Sequence, residues 1–556
     1  MSSRHRVFIF GTFFLFLAIV AGCPGKKPKE PAGPPKPPKA AQQLGPQLKP
    51  VQRIAQFQKA LKDRETAIFE EARQSAQRLA AAPDKLQPNA PNVVLLTVDT
   101  LRFDDTSGFG GQLETTPFLA KLAKQGVTFT NAISPGPWTV PAMYSLITGM
   151  YPTEHGITGG LINPLVRGDI VGQAVLPDVA HTLAERLKDL GYGTFGACTN
   201  FHMSPKYGFA QGFDMFVGED FDSLPFPTFV AESFIPQMRK VEKYFVWAHF
   251  FDPHAPYQTH SPWFTQWNDS PFFSNEELIY DLLLQYYREK AGIGADGPFF
   301  PPHAVPLKNL ANLIRGRPAT LNVALYQKKS APDSPELKFL RAAYRSELRA
   351  TDRAMEKLLE KLEIGDNTMI IVVADHGEEF MDHGRMDHRL NGSVYQELIH
   401  VPMLMVLPGR QHAGKVVDTP VSTLDIMATI LDVLGHPMEG QTSSRSLVPL
   451  ITGKSVEPRP VYSELHEVKL GEFRAIIEYP WKYIHSFQSG LGMLFNLSSD
   501  PGEKKDLSSV EKELAESMKK RLLEWTASKT PRYPAGARIQ LSPEEKQKLR
   551  AMGYMH

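Results

Sequence analysis

Asn92-Val93-Val94-Leu95-Leu96-Thr97-Val98-Asp99-Thr100 decides the fold. The run is continuously apolar and β-branched, without the polar alternation of a half-exposed strand. That pattern predicts a central strand of a parallel sheet, covered on both faces, and it halts at an acid, Asp99. Tyr244–Phe250 repeats the pattern ahead of Asp252-Pro253-His254, and Thr368–Ala374 repeats it ahead of Asp375-His376-Gly377. Helical periodicity lies between these runs, at Pro117–Lys124, His181–Leu190 and Leu337–Leu362. The alternation predicts an α/β fold with a doubly wound, mostly parallel sheet, in which ligands collect outside the carboxyl ends of the strands. One terminal Asp is as readily a turn residue or a helix cap. Three strands ending in Asp, or in Asp with His, point to a polar metal site.

Working outward, Gly136-Pro137-Trp138-Thr139-Val140-Pro141-Ala142-Met143 leads through Ser145 to Gly149. Pro141 near the start and Gly149 at the end mark a short helix. Thr139 then sits at a helix N-terminus, where free N–H groups and the helix dipole favour anions. An activated hydroxyl there suits attack on a phosphate or sulfate ester. Alone, the stretch reads more readily as an ordinary threonine N-cap.

The chain has 556 residues, more than one hydrophobic core normally serves, so a large domain with additions is expected. Lys plus Arg (61) balances Asp plus Glu (60), and no basic patch points to nucleic acid. The 2 cysteines, Cys23 and Cys198, exclude a disulfide framework and a cysteine-rich zinc site. At the N-terminus, Arg4-His5-Arg6 precedes the apolar run Val7–Ala21, which is short for a bilayer span and has the order of a secretory signal. Val20-Ala21-Gly22-Cys23 resembles the lipobox of bacterial lipoproteins, which implies cleavage before Cys23, lipid on its sulfur and tethering to a bacterial membrane. An uncleaved anchor helix is the alternative. Because Pro24 and not Asp follows Cys23, the expected address is the cell envelope, at the outer membrane or the periplasmic face.

The expected order is a signal peptide over 1–22, a Pro/Lys-rich spacer over 23–49 and an amphipathic helical segment over 50–88. A catalytic domain over 91–440 and a smaller C-terminal α+β subdomain with a tail helix over 441–556 complete it. Within the larger domain, 260–336 is rich in aromatics and prolines and is either a lid over the site or a packed excursion. Leu398–Leu407 reads as a strand and Thr423–Leu434 as a helix ended by Gly435. Short strands follow at Val461–Glu464, Arg474–Glu478, Lys482–Phe487 and Met493–Leu497, then a helix over Ser509–Thr526.

Several of these stretches, in this order, resemble the sulfatase family of the alkaline phosphatase superfamily. Asn92–Arg102 is similar to its opening strand, Thr116–Phe129 to its next segment, and Ser145–Gly156 to the run after its nucleophile. His249-Phe250-Phe251-Asp252-Pro253-His254-Ala255-Pro256-Tyr257, Ala374-Asp375-His376-Gly377-Glu378 and Leu494–Glu503 extend the likeness to roughly Asn92–Leu507. Sulfatases proper carry C-x-P-S-R or S-x-P-S-R, whose first residue becomes formylglycine. Here the run is Thr139-Val140-Pro141-Ala142-Met143, a threonine is no formylglycine precursor, and Met143 replaces the supporting arginine. The lysine and histidine of the family's second motif have no clear equivalent near Gly196–Asn200. A threonine in this place resembles the members that break P–O bonds.

The resemblance implies Asp99, Thr139, Asp375 and His376 as ligands of a divalent metal (Zn²⁺, Mn²⁺, Mg²⁺ or Ca²⁺) and Thr139 as the nucleophile that the metal activates. Thr100 stands where sulfatases proper carry a second Asp, which favours a transition metal over Ca²⁺. His254 is implied at the transferred group or leaving oxygen. Asp252, His383 and His388 are either a second metal site or a loop's hydrogen-bonding residues, and Asn200 is a candidate donor to a substrate oxygen. Arg102 and His155 read as structural, or as supports behind the residues that hold the metal and substrate. The function expected is metal-dependent hydrolysis of, or transfer from, phosphate, phosphonate or sulfate esters, with one or two ions. The alternatives are a true sulfuric ester hydrolase and a non-catalytic envelope binding protein that kept the fold.

Overall fold

The computed structural model describes residues 89–158, 173–218, 226–255, 257, 260, 262–267, 334–386, 388, 394–438, 442–467, 471–533 and 538–539. The signal, Cys23, the spacer, the segment 50–88, most of the insertion 260–336 and the tail helix lie outside them. The strands are β1 (Asn92–Val98), β2 (Val127–Ile133), β3 (Gln173–Ala174), β4 (Gly193–Cys198), β5 (Met215–Gly218), β6 (Tyr244–Phe250), β7 (Thr368–Ala374) and β8 (His400–Val406). They continue with β9 (Lys415–Val417), β10 (Val421–Ser422), β11 (Val461–Glu467), β12 (Gly471–Glu478), β13 (Trp481–Ser486), β14 (Gly492–Asn496) and β15 (Arg538–Ile539).

The main sheet has the order β10-β2-β8-β7-β1-β6-β4-β5, with β9 also on β2. β1 lies parallel to both β6 and β7, and β4 is parallel to β5 and β6. β8 runs antiparallel to both of its neighbours, β7 and β2, so the sheet is mixed but mostly parallel, as expected. All three strands read from the sequence sit side by side at its centre, where both faces are covered. That is why their apolar runs are continuous.

Outside the centre the sequence signal was weaker. β4 reads Gly-Thr-Phe-Gly-Ala-Cys, and its small residues hide a fully buried strand. Gly196 is required there, because a Cβ would come within 2.6 Å of the Phe216 ring and 3.0 Å of the Phe213 ring. The run expected as one strand from Leu398 begins as a helical turn, Gln396–Ile399, and becomes β8 only at His400.

Helices pack in two groups. The long helix Pro335–Lys361 contacts Pro117–Ala123, Phe226–Met238 and Trp263–Trp267, while Thr139–Thr148 contacts Leu183–Asp189 and Asp425–Val433. The short helix Pro117–Ala123 cannot use its own Thr116 as a cap, because that hydroxyl accepts from the Ser107 amide at 2.8 Å. Asp352 of the long helix caps it instead, accepting from the Phe118 and Leu119 amides at 2.9 Å each. Residues 234 and 233 apart in the chain are thus locked together by a cap that neither helix supplies for itself.

A separate antiparallel sheet, β11-β12-β13-β14, carries the helix Lys512–Ser528 on one face. Strand alternation sorts its residues between two cores. Val461, Ala475, Ile477, Ile484 and Phe495 join the main core, whereas Tyr462, Ile476, Tyr483 and Leu494 pack with Met518 and Leu522 of the helix. Both sheets belong to one compact unit. The fully buried pair Lys482–Glu503, 2.7 Å apart, also reaches across: Glu503 accepts from the Gln396 amide at 2.6 Å.

Candidate active site

Parallel order puts the carboxyl ends of β7, β1, β6 and β4 side by side, and the candidate residues sit there. Asp99 follows β1, Asp375 and His376 follow β7, Asp252 and His254 follow β6, and Asn200 follows β4. Thr139 arrives from the other side, on the loop after β2. Trp138, in extended conformation, holds the N-cap position, and Thr139 is the first helical residue. The ordinary N-cap reading is therefore corrected: the Thr139 hydroxyl does not cap. It lies 3.2 Å from His376 Nε2 and 3.5 Å from Asp99 Oδ2. Gly149 ends the helix at φ 67°, where a side chain would also collide with Ser444 and Thr442 at 2.9 Å.

Every group in this cluster has one end tied down and the other aimed inward. Asp375 Oδ1 accepts from the His376 amide (2.7 Å) and the Thr100 amide (3.3 Å), leaving Oδ2 with no hydrogen-bond partner among the described residues. Asp99 Oδ2 accepts from Asn200 Nδ2 at 2.6 Å, and its Oδ1 likewise has none. His376 Nδ1 must donate to the Gly377 carbonyl, 2.7 Å away, which turns Nε2 toward Asp99 Oδ1 (3.3 Å) and Asp375 Oδ2 (3.6 Å). Acceptor atoms therefore face one another in a buried space. Two carboxylates within 4.8 Å repel by about 3.5 kcal/mol at an effective dielectric constant of 20.

The protonation pattern records that crowding. Burial and the Asp99 charge push the Asp375 carboxyl well above its usual range. Burial also opposes ionisation of Asp99, but the neighbouring His249, His376 and His254 imidazoles hold it well below. His376 is raised: burial works against its charge, and Asp375 and Asp99 more than offset it. A cation would replace these protons. His376 Nε2 stands 3.2 Å from Thr139 Oγ1, 3.3 Å from Asp99 Oδ1 and 3.6 Å from Asp375 Oδ2, close to the separation of about 3.3 Å between donors that share a divalent ion. The residues present fit a metal.

The other candidates divide. His254 is buried, stacks on Phe251 with centroids 4.5 Å apart and donates Nδ1–H to the Ala255 carbonyl. Burial lowers its pKa, and the Asp99 charge works against that. His388 joins the site: its ring lies 4.4 Å from His376 and 5.0 Å from His254, and Nδ1 donates to Glu378 at 3.0 Å. Glu378 also accepts from the Tyr257 hydroxyl, so it is the acceptor that orients His388. His383 does not join. Nδ1 is 2.6 Å from Glu397, Nε2 is 3.0 Å from the Glu503 carbonyl, and the ring stacks on Tyr395. Both nitrogens are thus used where the second sheet meets the first. Asp252 is buried at its turn but is not in the converging group Asp99–His249–Asp375, so the second-metal set Asp252, His383 and His388 is not assembled. Asn200 binds Asp99 and orients it.

Arg102 and His155 are structural, as expected. Arg102 is buried and ties Asp104, Asp382 and the Glu378 carbonyl together, bracing the loop after β7 against the end of β1. His155 Nδ1 accepts from the Ile157 amide, so its Nε2–H is the end that faces Ser145. The sequence reading missed His249. A signal existed: it is the one imidazole inside the otherwise apolar strand Tyr-Phe-Val-Trp-Ala-His-Phe.

The sulfatase family model matches residues 91–436, and the C-terminal model of N-sulphoglucosamine sulphohydrolase matches 381–528. Arylsulfatase K of Canis lupus familiaris is 32% identical over 202 residues, 34% of this chain and 37% of that protein. The chain thus spans just over a third of the length of that relative. The ulvan-active sulfatase of Formosa agariphila is 25% identical over 76% of this chain and 78% of its own length. The N-acetylgalactosamine-6-O-sulfatase of Bacteroides thetaiotaomicron is 24% identical over 75% and 89%. Among solved structures, the phosphonate monoester hydrolase of Agrobacterium radiobacter superposes with a TM-score of 0.56 at 20% identity, over 81% of this chain and 100% of that one. At that identity the likeness speaks for the fold.

Proposed function

The chain belongs to the sulfatase family, and from that premise we propose that it is a metal-dependent ester hydrolase or transferase with Thr139 as nucleophile, acting on phosphate or phosphonate esters ahead of sulfate esters. One observation carries the reading: the Thr139 hydroxyl, instead of capping its helix, lies 3.2 Å from His376 Nε2 beside two acids with orphaned oxygens. Asp99, Thr139, Asp375 and His376 would hold the ion. When bound, a divalent cation supplies a lowered hydroxyl pKa and charge screening at the attacked centre.

Thr139 Oγ1 then attacks phosphorus or sulfur, forming a Thr139–O bond to that atom as the bond to the leaving oxygen breaks. The Thr139 proton ends on the leaving oxygen. We assign its transfer to His254 and His388, whose Nδ1–H groups donate to the Ala255 carbonyl and to Glu378. Water, or an acceptor hydroxyl, then attacks the same phosphorus or sulfur, the bond from Thr139 Oγ1 to that atom breaks, and the proton of the attacking group passes to Thr139. Asn200 and Arg102 hold Asp99 and the loop after β7 in register. Preference for P–O over S–O bonds rests on Thr139 itself, which cannot become formylglycine.

The sulfatase names of the relatives favour a second reading, sulfuric ester hydrolysis by the same hydroxyl. Turnover of p-nitrophenyl phosphate, bis-p-nitrophenyl phosphate and p-nitrophenyl sulfate, with Zn²⁺, Mn²⁺, Mg²⁺ or Ca²⁺ added, separates the two. Phosphoester turnover is expected to exceed sulfate turnover; sulfate turnover alone would select the second reading. Metal-independent background on all three would leave only a binding protein. Lipidation at Cys23 and an envelope address belong to the same proposal. Cys23→Ala is expected to move the protein from the membrane to the soluble fraction, and an unchanged distribution would remove the lipid anchor from it.

A further inference from the structure

His249 is held in a way the fold does not explain. It sits inside β6, opposite Thr97 of β1 and Cys198 of β4, so its backbone is paired on both sides. The Trp247 indole N–H donates to Thr97 Oγ1 at 3.0 Å, and the same oxygen lies 2.8 Å from His249 Nδ1. The imidazole is therefore clamped at Nδ1. Its other nitrogen, Nε2, is fully buried, has no hydrogen-bond partner among the described residues, and stands 3.6 Å from Asp99 Oδ2. A core histidine would spend that nitrogen on a hydrogen bond, because a buried polar atom left unmet loses its hydration without replacement. The orphaned atoms of Asp99 and Asp375 show the same deficit, and donor atoms of the three residues lie within 4.8 Å of one another.

We propose that His249 Nε2 is a further metal ligand, so that the site offers imidazole nitrogen from β6 as well as from the end of β7, and that this selects Zn²⁺ or another nitrogen-seeking transition ion over Mg²⁺ and Ca²⁺. The inference rests on the metal reading above and adds a ligand to it. With Nε2 on the ion, Nδ1 keeps its proton and donates to Thr97 Oγ1, an outer hydrogen bond that fixes the ring and its tautomer. Hard oxygen-seeking ions gain little from a second imidazole, whereas transition ions gain much.

The test uses the full-length protein, stripped of metal and retitrated with Zn²⁺ or Mg²⁺ against a chelator, with bound metal counted by mass spectrometry. Wild type is expected to take up Zn²⁺ in preference to Mg²⁺. His249→Ala and His249→Gln are expected to lose at least about 10-fold in Zn²⁺ affinity with little change for Mg²⁺. Their Co²⁺-loaded forms are expected to show shifted visible bands. Thr97→Val, which leaves the imidazole in place but removes its clamp, is expected to weaken Zn²⁺ by a smaller factor and covers the case in which the histidine variants do not fold. Zn²⁺ affinity and Co²⁺ spectra equal to wild type in His249→Gln and Thr97→Val would overturn the assignment while leaving the metal site standing. A wild type that binds no divalent ion would overturn both.

Discussion

Thr139→Ala is expected to lose turnover on every ester the protein accepts by on the order of 10⁴-fold or more, the scale on which removal of a covalent nucleophile is felt. The loss is expected in kcat, since the hydroxyl contributes to bond making and not to holding the ester. Thr139→Ser keeps the hydroxyl at the same atom and is expected to retain measurable turnover, which a purely steric role for threonine would not restore. Melting temperature of the metal-free protein is expected to stay near wild type in both, because Trp138 and not Thr139 holds the N-cap position. Quenched-flow samples analysed by mass spectrometry are expected to show a phosphoryl or sulfuryl group on the peptide containing Thr139 in wild type. Equal turnover in wild type and Thr139→Ala, on all esters, would sink the nucleophile assignment.

The second large effect is expected from removing metal. A ligand that binds only the folded state at 1,000 times its Kd contributes about 4 kcal/mol, so EDTA is expected to lower the melting temperature by several degrees and to abolish turnover. The size of the shift is expected to depend on pH. In the metal-free protein Asp375 and His376 both have raised pKa values, Asp375 through burial and the Asp99 charge, His376 through Asp375 and Asp99 against burial. The folded state then keeps protons that the unfolded chain has released, and stability falls as pH rises through the folded pKa values. Asp99 is lowered, and its opposite contribution is confined to pH below about 4. Between pH 6 and 8 these two groups therefore cost the metal-free protein stability as pH rises, while a bound cation takes the place of their protons. Scanning fluorimetry with and without EDTA at pH 6, 7 and 8 checks this. An EDTA effect that shrinks toward pH 8 would contradict it.

The elements that organise the site were legible because each is a local signal. A strand buried on both faces must be apolar throughout, and the acid that ends it is adjacent in the chain, so Asp99 and Asp375-His376 could be read with their strands. The outer strand β4 was not legible, since Gly196 makes room for Phe213 and Phe216 and Gly193 for Val241, which join it only in three dimensions. Histidines after β7 were readable as candidates but not as partners. Five residues separate His383 from His388, yet one turns to Glu397 and the other to Glu378.

The sequence by itself determined the α/β class, the central strands, the acids that end them and a threonine at the start of a helix, because apolar periodicity and terminal polarity are written in contiguous residues. Only the tertiary structure decided that this threonine faces His376 and not its own helix, that His383 serves the junction between sheets, and that His249 points an unmet nitrogen at Asp99. The physical reason is the same for all three. A side chain's direction is set by the partner that satisfies its other end, and those partners come from distant chain: Thr97 stands 152 residues before His249, and Asp375 and His376 lie more than two hundred residues beyond Thr139.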